Sequence, residues 1–194
     1  MTDPLVFALA VLTILVTPGP TNTLLALAGA GVGLRGAWPY TLAEALGYGI
    51  SISLIGVVLK PILAGSPEIA VVLRVVVAGY LLYLAWRCLR AGRLVAGSAT
   101  VITPRRVFVT TLLNPKAMVF ALGVVPFGAP NAACYLLGFL AILIPVSLGW
   151  IALGAALGRA ASGSRYERWV LRGGALAITG FATWLLISVA RFHT

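Results

Sequence analysis

The sequence predicts an all-α integral membrane protein of six transmembrane helices in two inverted three-helix repeats, with both chain ends on the outer side of the membrane. Composition is the first observation behind this. Of 194 residues, 61% are hydrophobic and 9% are charged, with a mean hydropathy of +1.06, whereas charged residues make up about 25% of a soluble domain. The second is segment length. Six apolar segments, at roughly 4–28, 38–59, 68–88, 107–128, 132–158 and 169–190, each approach or exceed the 20 or so residues that cross a hydrocarbon core. The third is that the first and fourth segments are both interrupted by proline with an asparagine close by. Three helices per half force the second half to insert upside down relative to the first, the inverted-repeat plan of many secondary transporters.

Segment one carries "TPGPTN", Thr17 to Asn22, at its centre. Proline lacks a backbone donor and collides with the preceding turn, so each one in a helix interior costs about 3 kcal/mol or more. The chain begins Met1-Thr2-Asp3-Pro4, without the basic n-region of a signal peptide, and segment one is therefore expected to be retained. Segment two contains "TLAEALGYGIS", in which Thr41, Glu44, Tyr48 and Ser51 recur at three- and four-residue steps and share one helix face. A polar stripe on a lipid-bathed helix must face inward. Glu44 falls about 9 Å inside the cytoplasmic end at 1.5 Å per residue, and burial penalises an ionised carboxylate. It is a candidate proton carrier or counter-charge for an ammonium group, with a structural ion pair as the alternative.

Segment three holds Arg74, near enough to its outer end for the side chain to snorkel to the interface. Residues 90–106, "RAGRLVAGSATVITPRR", form a basic, Gly/Ser-containing cytoplasmic linker between a first repeat at 1–89 and a second at 107–194. Segment four contains "LLNPKAMVF", with Asn114, Pro115 and then Lys116 about 14 Å in from the cytoplasmic side, a depth that allows pairing with Glu44. An intramembrane charge costs about 2.5–3.5 kcal/mol even on insertion scales, so Glu44, Arg74 and Lys116 are functional candidates. Segment five ends in "GAALG", Gly154 to Gly158, whose small-xxx-small spacing permits close helix contact within the fold or between the protomers of a homodimer.

Breaks at matching positions of two halves point to a substrate site near the bilayer midplane. A break frees backbone N–H and C=O groups that lipid cannot satisfy, so it survives where protein or a water-filled cavity receives them. The alternative is a pair of plain proline kinks, satisfied by hydroxyls such as Thr13, Thr17 and Thr21.

A formal charge of +10 would suit a nucleic-acid ligand, but the cations lie at helix ends and report topology instead. With the N-terminus outside, Arg35, Arg87, Arg90, Arg93, Arg105, Arg106, Arg159, Arg165, Arg168 and Arg172 all fall in cytoplasmic connections, against Lys60 and Arg191 outside. Trp38, Trp86 and Trp169 then sit at the inner interface. Cys88 and Cys134 fall at opposite membrane faces and cannot pair, and no Cys/His cluster offers a metal site. The one histidine, His193, is in the C-terminal tail, so no nucleophile, base and orienting group form a set. Neither an enzyme nor a cofactor is expected.

Three stretches in order, "TPGPTNTLLALAGAGVGLRGA", "LRVVVAGYLLYLAWRCLR" from Leu73 to Arg90, and "LLNPKAMVF" from Leu112 to Phe120, resemble the recurring signatures of the LysE/RhtB (lysine exporter) family of bacterial amino-acid translocators. The resemblance covers essentially the whole chain. It implies an exporter of amino acids or related metabolites in the bacterial cytoplasmic (inner) membrane, driven by the proton-motive force. Pro18, Gly19, Pro20 and Asn22 match the first signature, Gly79 and Tyr80 the second, and Asn114, Pro115 and Lys116 the third. Three positions depart from it. Thr21 intervenes before the asparagine, Arg74 stands where a lysine is usual, and Glu44 falls in a stretch that is usually small and glycine-rich.

The leading expectation is alternating access, with the freed groups around Pro18–Asn22 and Asn114-Pro115 binding a solute's carboxylate and ammonium, and Glu44, Lys116 and Arg74 coupling charge movement to transport. A thiol and electron carrier of the same superfamily would place paired cysteines in the first and fourth helices, which here have none. A non-transporting scaffold or metabolite sensor fits poorly with a chain that has almost nothing outside the bilayer.

Overall fold

The computed structural model describes residues 3–59, 67–90, 102–160 and 164–190. Among them there are helices and no strands. In chain order these are α1 (Pro4–Val16), α2 (Pro20–Val32), α3 (Trp38–Leu54) extended by a π-helical turn (Ile55–Leu59), α4 (Pro67–Arg90) and α5 (Pro104–Leu112). They continue with α6 (Pro115–Val119) extended by a second π-helical turn (Phe120–Val124), α7 (Ala132–Ala160) and α8 (Ser164–Ala190).

Proline starts these helices rather than ruining them. Pro4, Pro20, Pro104 and Pro115 each occupy the first helical position, where the missing N–H would have had no intrahelical partner and the fixed φ suits the turn. Side-chain caps complete several starts. Asp3 Oδ1 accepts from Leu5 N at 2.8 Å and Val6 N at 3.3 Å, Thr103 Oγ1 accepts from Arg106 N at 3.3 Å, and Asn114 Oδ1 accepts from Lys116 N at 3.0 Å. TPGP is thus one helix ending and another beginning.

Two helices are individually long and apolar enough to cross a membrane among the described residues, Trp38–Val58 and Ala132–Arg159. Two more pairs qualify when each is taken as one broken span. Pro4–Val16 with Pro20–Val32 bends by 61°, and Pro104–Leu112 with Pro115–Val124 bends by 44°. The second pair starts earlier than the expected 107 because Thr103 and Pro104 nucleate its first turn, and it stops at Val124 because Val125 turns extended ahead of Pro126. α4 and α8 pack along each other, and α8 also lies against α2. Residues 91–101, most of the expected linker, lie outside the described residues.

The core is layered. Leu24, Leu25, Leu27 and Ala28 of α2 join Tyr40 and Ala43 of α3, Val107 of α5, Ile151 of α7 and residues of α4 and α8 in one apolar cluster. Phe7, Val11 and Leu15 of α1 join Tyr48 and Ile52 of α3, Phe120 and Ala121 after α6, and Phe139 and Leu143 of α7 in the other. The spans that pass from one cluster to the other carry buried polar residues at the crossing, among them Thr21 and Asn22, Glu44, Thr111, Asn114 and Lys116, and Ser147, with Thr41, Ser51 and Thr110 also buried on these spans. A polar belt therefore separates two dry layers.

Close packing brings the belt together. A Cβ on Gly154 would lie 1.9 Å from the Ala26 carbonyl oxygen, and one on Gly29 would lie 2.1 Å from that of Ile151. The GAALG run is thus used inside the fold, between α7 and α2.

Candidate functional site

The site grows from the first break. α1 ends at Val16 with carbonyls that no further helical turn can satisfy. Asn22, on the first turn of α2, folds back and donates its Nδ2 to Leu15 O at 2.7 Å and Thr17 O at 3.0 Å. Lys116 reaches across from α6 and donates its ammonium to Ile14 O at 2.9 Å and to Thr17 O. A cation on a helix C-terminus is the favourable end of that dipole. Gly19 explains how the lysine fits, since a Cβ there would stand 3.0 Å from Lys116 Cε and 3.1 Å from Nζ.

The second break is satisfied from the other side. Asn114 caps α6 with its Oδ1 and donates Nδ2 to Thr21 Oγ1 at 2.8 Å and to Tyr48 OH at 3.0 Å. Thr111 Oγ1 also donates to Thr21 Oγ1 at 3.3 Å, and Ser51 Oγ donates to the Leu112 carbonyl at 2.8 Å. Tyr48 is fixed by its ring, which meets Phe120 and Phe139 edge-on at 5.9 Å and 5.6 Å between centroids. One amide therefore ties α2, α3 and α6 together.

Glu44 is the exception. It is 1% exposed, beside the hydroxyl of Ser147, which donates to Thr41 Oγ1 at 3.3 Å. Its Oε2 has no hydrogen-bond partner. Lys116 is near enough for the two charges to act on each other, but the ammonium is held by the carbonyls of α1 and not by this carboxylate. The direct Glu44–Lys116 pair that their similar depths suggest is absent from this conformation.

Pro20, Asn22, Thr41, Glu44, Tyr48, Ser51, Asn114 and Lys116 are all buried in the belt or at its edge, with Gly19 under the lysine stem and Pro115 starting α6. Thr17 and Pro18 are exposed, although the Thr17 carbonyl belongs to the lysine's cradle. Arg74 lies on α4, and its side chain is outside the described residues. Three members, Thr21, Thr111 and Ser147, were not among the sequence candidates. Thr21, named in the sequence only as a departure from the signature and as a hydroxyl that could satisfy a kink, is the one on which Asn114 and Thr111 converge. Ser147 is the lone serine or threonine of α7, and that isolation in an apolar helix was the available signal. Among the described residues, no group of three His, Cys, Asp or Glu side chains could hold a metal.

A family model described as LysE type translocator matches residues 12–189, which takes in both breaks and every side chain of the belt. The chain belongs to the LysE type translocator family. It is accordingly a multi-pass membrane protein of a family of translocators and not of enzymes. No curated protein and no solved structure matches the chain. The family resemblance found in the sequence and the family model agree.

Proposed function

We propose that the chain is a secondary transporter of the bacterial inner membrane that exports amino acids or closely related metabolites by alternating access, drawing on the proton-motive force. The solute is bound between the two broken spans, and the six helices form two inverted repeats with both termini outside. The observation that carries this reading is the convergence of the two breaks on a single polar layer. Asn114 of the second break bonds Thr21 of the first at 2.8 Å, and Lys116 of the second occupies carbonyls of the first. Plain kinks can also be closed by neighbouring helices and hydroxyls; what favours a shared site is that the two breaks are joined to each other. Each break is closed partly by its own asparagine and partly by the other break, so a rocking of one half against the other must remake the bonds between them.

The parts available to a zwitterion are complementary to it. Carbonyls at the α1 terminus and the Glu44 carboxylate suit an ammonium, while the Asn114 and Asn22 amides and the start of α2 suit a carboxylate. Glu44, buried with one oxygen unpaired, is the group on which a coupling proton would ride. Amino-acid efflux from proteoliposomes, with an imposed proton gradient and a panel of amino acids, tests this reading. Saturable, gradient-dependent efflux of some members is expected from the wild-type protein and not from Asn114→Ala or Glu44→Gln. Efflux at wild-type rates from both variants would overturn the site.

A further inference from the structure

We propose that the Ile14 and Thr17 carbonyls are the receptor for a primary ammonium group on the transported solute, and that Lys116 fills this receptor from within while solute is absent. On solute binding the lysine gives up the carbonyls and its ammonium moves toward Glu44. The inference deepens the exporter reading and rests on it for the identity of the ligand as a solute.

Four observations meet here. The receptor already holds a primary ammonium, that of Lys116, on two carbonyls freed by the break. Thr17 O keeps the Asn22 amide at 3.0 Å, but Ile14 O, with Pro18 in place of a helical donor four residues on, would be left bare, and an unpaired acceptor out of water costs about 1–3 kcal/mol; whatever displaces the lysine must therefore be a hydrogen-bond donor, and a cation at a helix C-terminus is the best of these. The displaced lysine has a place to go, since Glu44 Oε2 is buried, lacks a partner and lies within reach of the lysine's charge. Finally, among the described residues no other helix covers the receptor's rim, since Thr17 and Pro18 are exposed beside a lysine that is 7% exposed. Gly19 makes room for the ammonium at the receptor, because its missing side chain is the space the lysine terminus uses. A quaternary ammonium has no N–H to give and cannot substitute.

The test uses the purified full-length protein in detergent, with methylammonium chloride as the probe and tetramethylammonium chloride at equal ionic strength as its control. Lys116→Met is one atom shorter than the native side chain and leaves the Nζ position open. Its unfolding temperature is expected to rise saturably with methylammonium, by about 2–4 °C at high occupancy, and not with tetramethylammonium. The wild-type protein, whose receptor is already filled, is expected to respond far less. Gly19→Ala is the second variant. It keeps every charge but crowds the lysine terminus, and it should show the same discrimination with a smaller rise. Equal responses to the two salts, no response in either variant, or a wild-type response as large as that of the variants would overturn the receptor. Transport is measured separately. A methylammonium response in a protein that moves no amino compound would leave the receptor standing and remove the exporter reading, whereas transport without the response would do the reverse.

Discussion

Asn114 is the residue on which the belt depends most. Its amide satisfies Lys116 N, Thr21 and Tyr48 at once, so Asn114→Ala orphans several buried groups, and each unsatisfied one costs about 1–3 kcal/mol. Thermal unfolding in detergent should show a clear loss, alongside the loss of efflux. Glu44→Gln has the opposite expectation for stability. The amide is isosteric and removes a buried charge whose Oε2 has no partner, so the variant should melt at or above the wild-type temperature while losing gradient-driven efflux. A variant that melts well below wild type would show that the carboxylate is a structural element and not one held in reserve. At this scale the sequence announced Glu44, Lys116, Asn22 and Asn114, because intramembrane polar groups are expensive and therefore conspicuous. It could not announce that Lys116 sits on Ile14 and Thr17, because that contact joins residues 102 and 99 positions apart.

Between elements, stability rests on how closely α2 and α7 approach. Gly154 and Gly29 leave no room for a side chain against the facing backbone, and neither helix can shift without moving Asn22 or Ser147 out of the belt. Gly154→Val should therefore cost at least the 1–3 kcal/mol or so of an overpacked core, read as a lower yield of monodisperse protein on size exclusion and a lower unfolding temperature. Retention of wild-type stability would show that the two helices have slack. Replacing both Pro18 and Pro20 by Ala is expected to let α1 and α2 join, since the missing donors return; the carbonyls that hold Lys116 would be taken up by the helix and efflux abolished in a protein that still inserts. The breaks were legible in the sequence because proline leaves a local mark. Their angles, 61° and 44°, and the π-helical turns that follow α3 and α6 were not, because they come from packing across the two apolar clusters.

For the whole molecule, the layered core and the family membership describe a small translocator whose two broken spans share one polar layer. Four of the six expected spans and the small-residue contact were readable from hydropathy and spacing, while the layer itself emerges only when four spans cross at a common height. The proposed topology predicts that reporters fused at the C-terminus are active outside the cytoplasm, with fusions in the 90–106 connection active inside; the reverse pattern would invert the assignment made from the arginines. Cys134 is exposed near the start of α7 and, among the described residues, no bond of the belt involves it, so replacing Cys88 and Cys134 by Ala should leave efflux unchanged, and a loss would revive a thiol-based role.

The most direct test of the central claim, that the two breaks form one solute site, is counterflow of radiolabelled amino acids in proteoliposomes containing wild-type protein or Asn114→Ala. Wild-type vesicles loaded with an unlabelled substrate should accumulate its labelled form transiently, and Asn114→Ala vesicles should not, at matched protein orientation and content. Equal accumulation by the two would contradict the claim, because no site that spans both breaks could survive the loss of the amide that joins them.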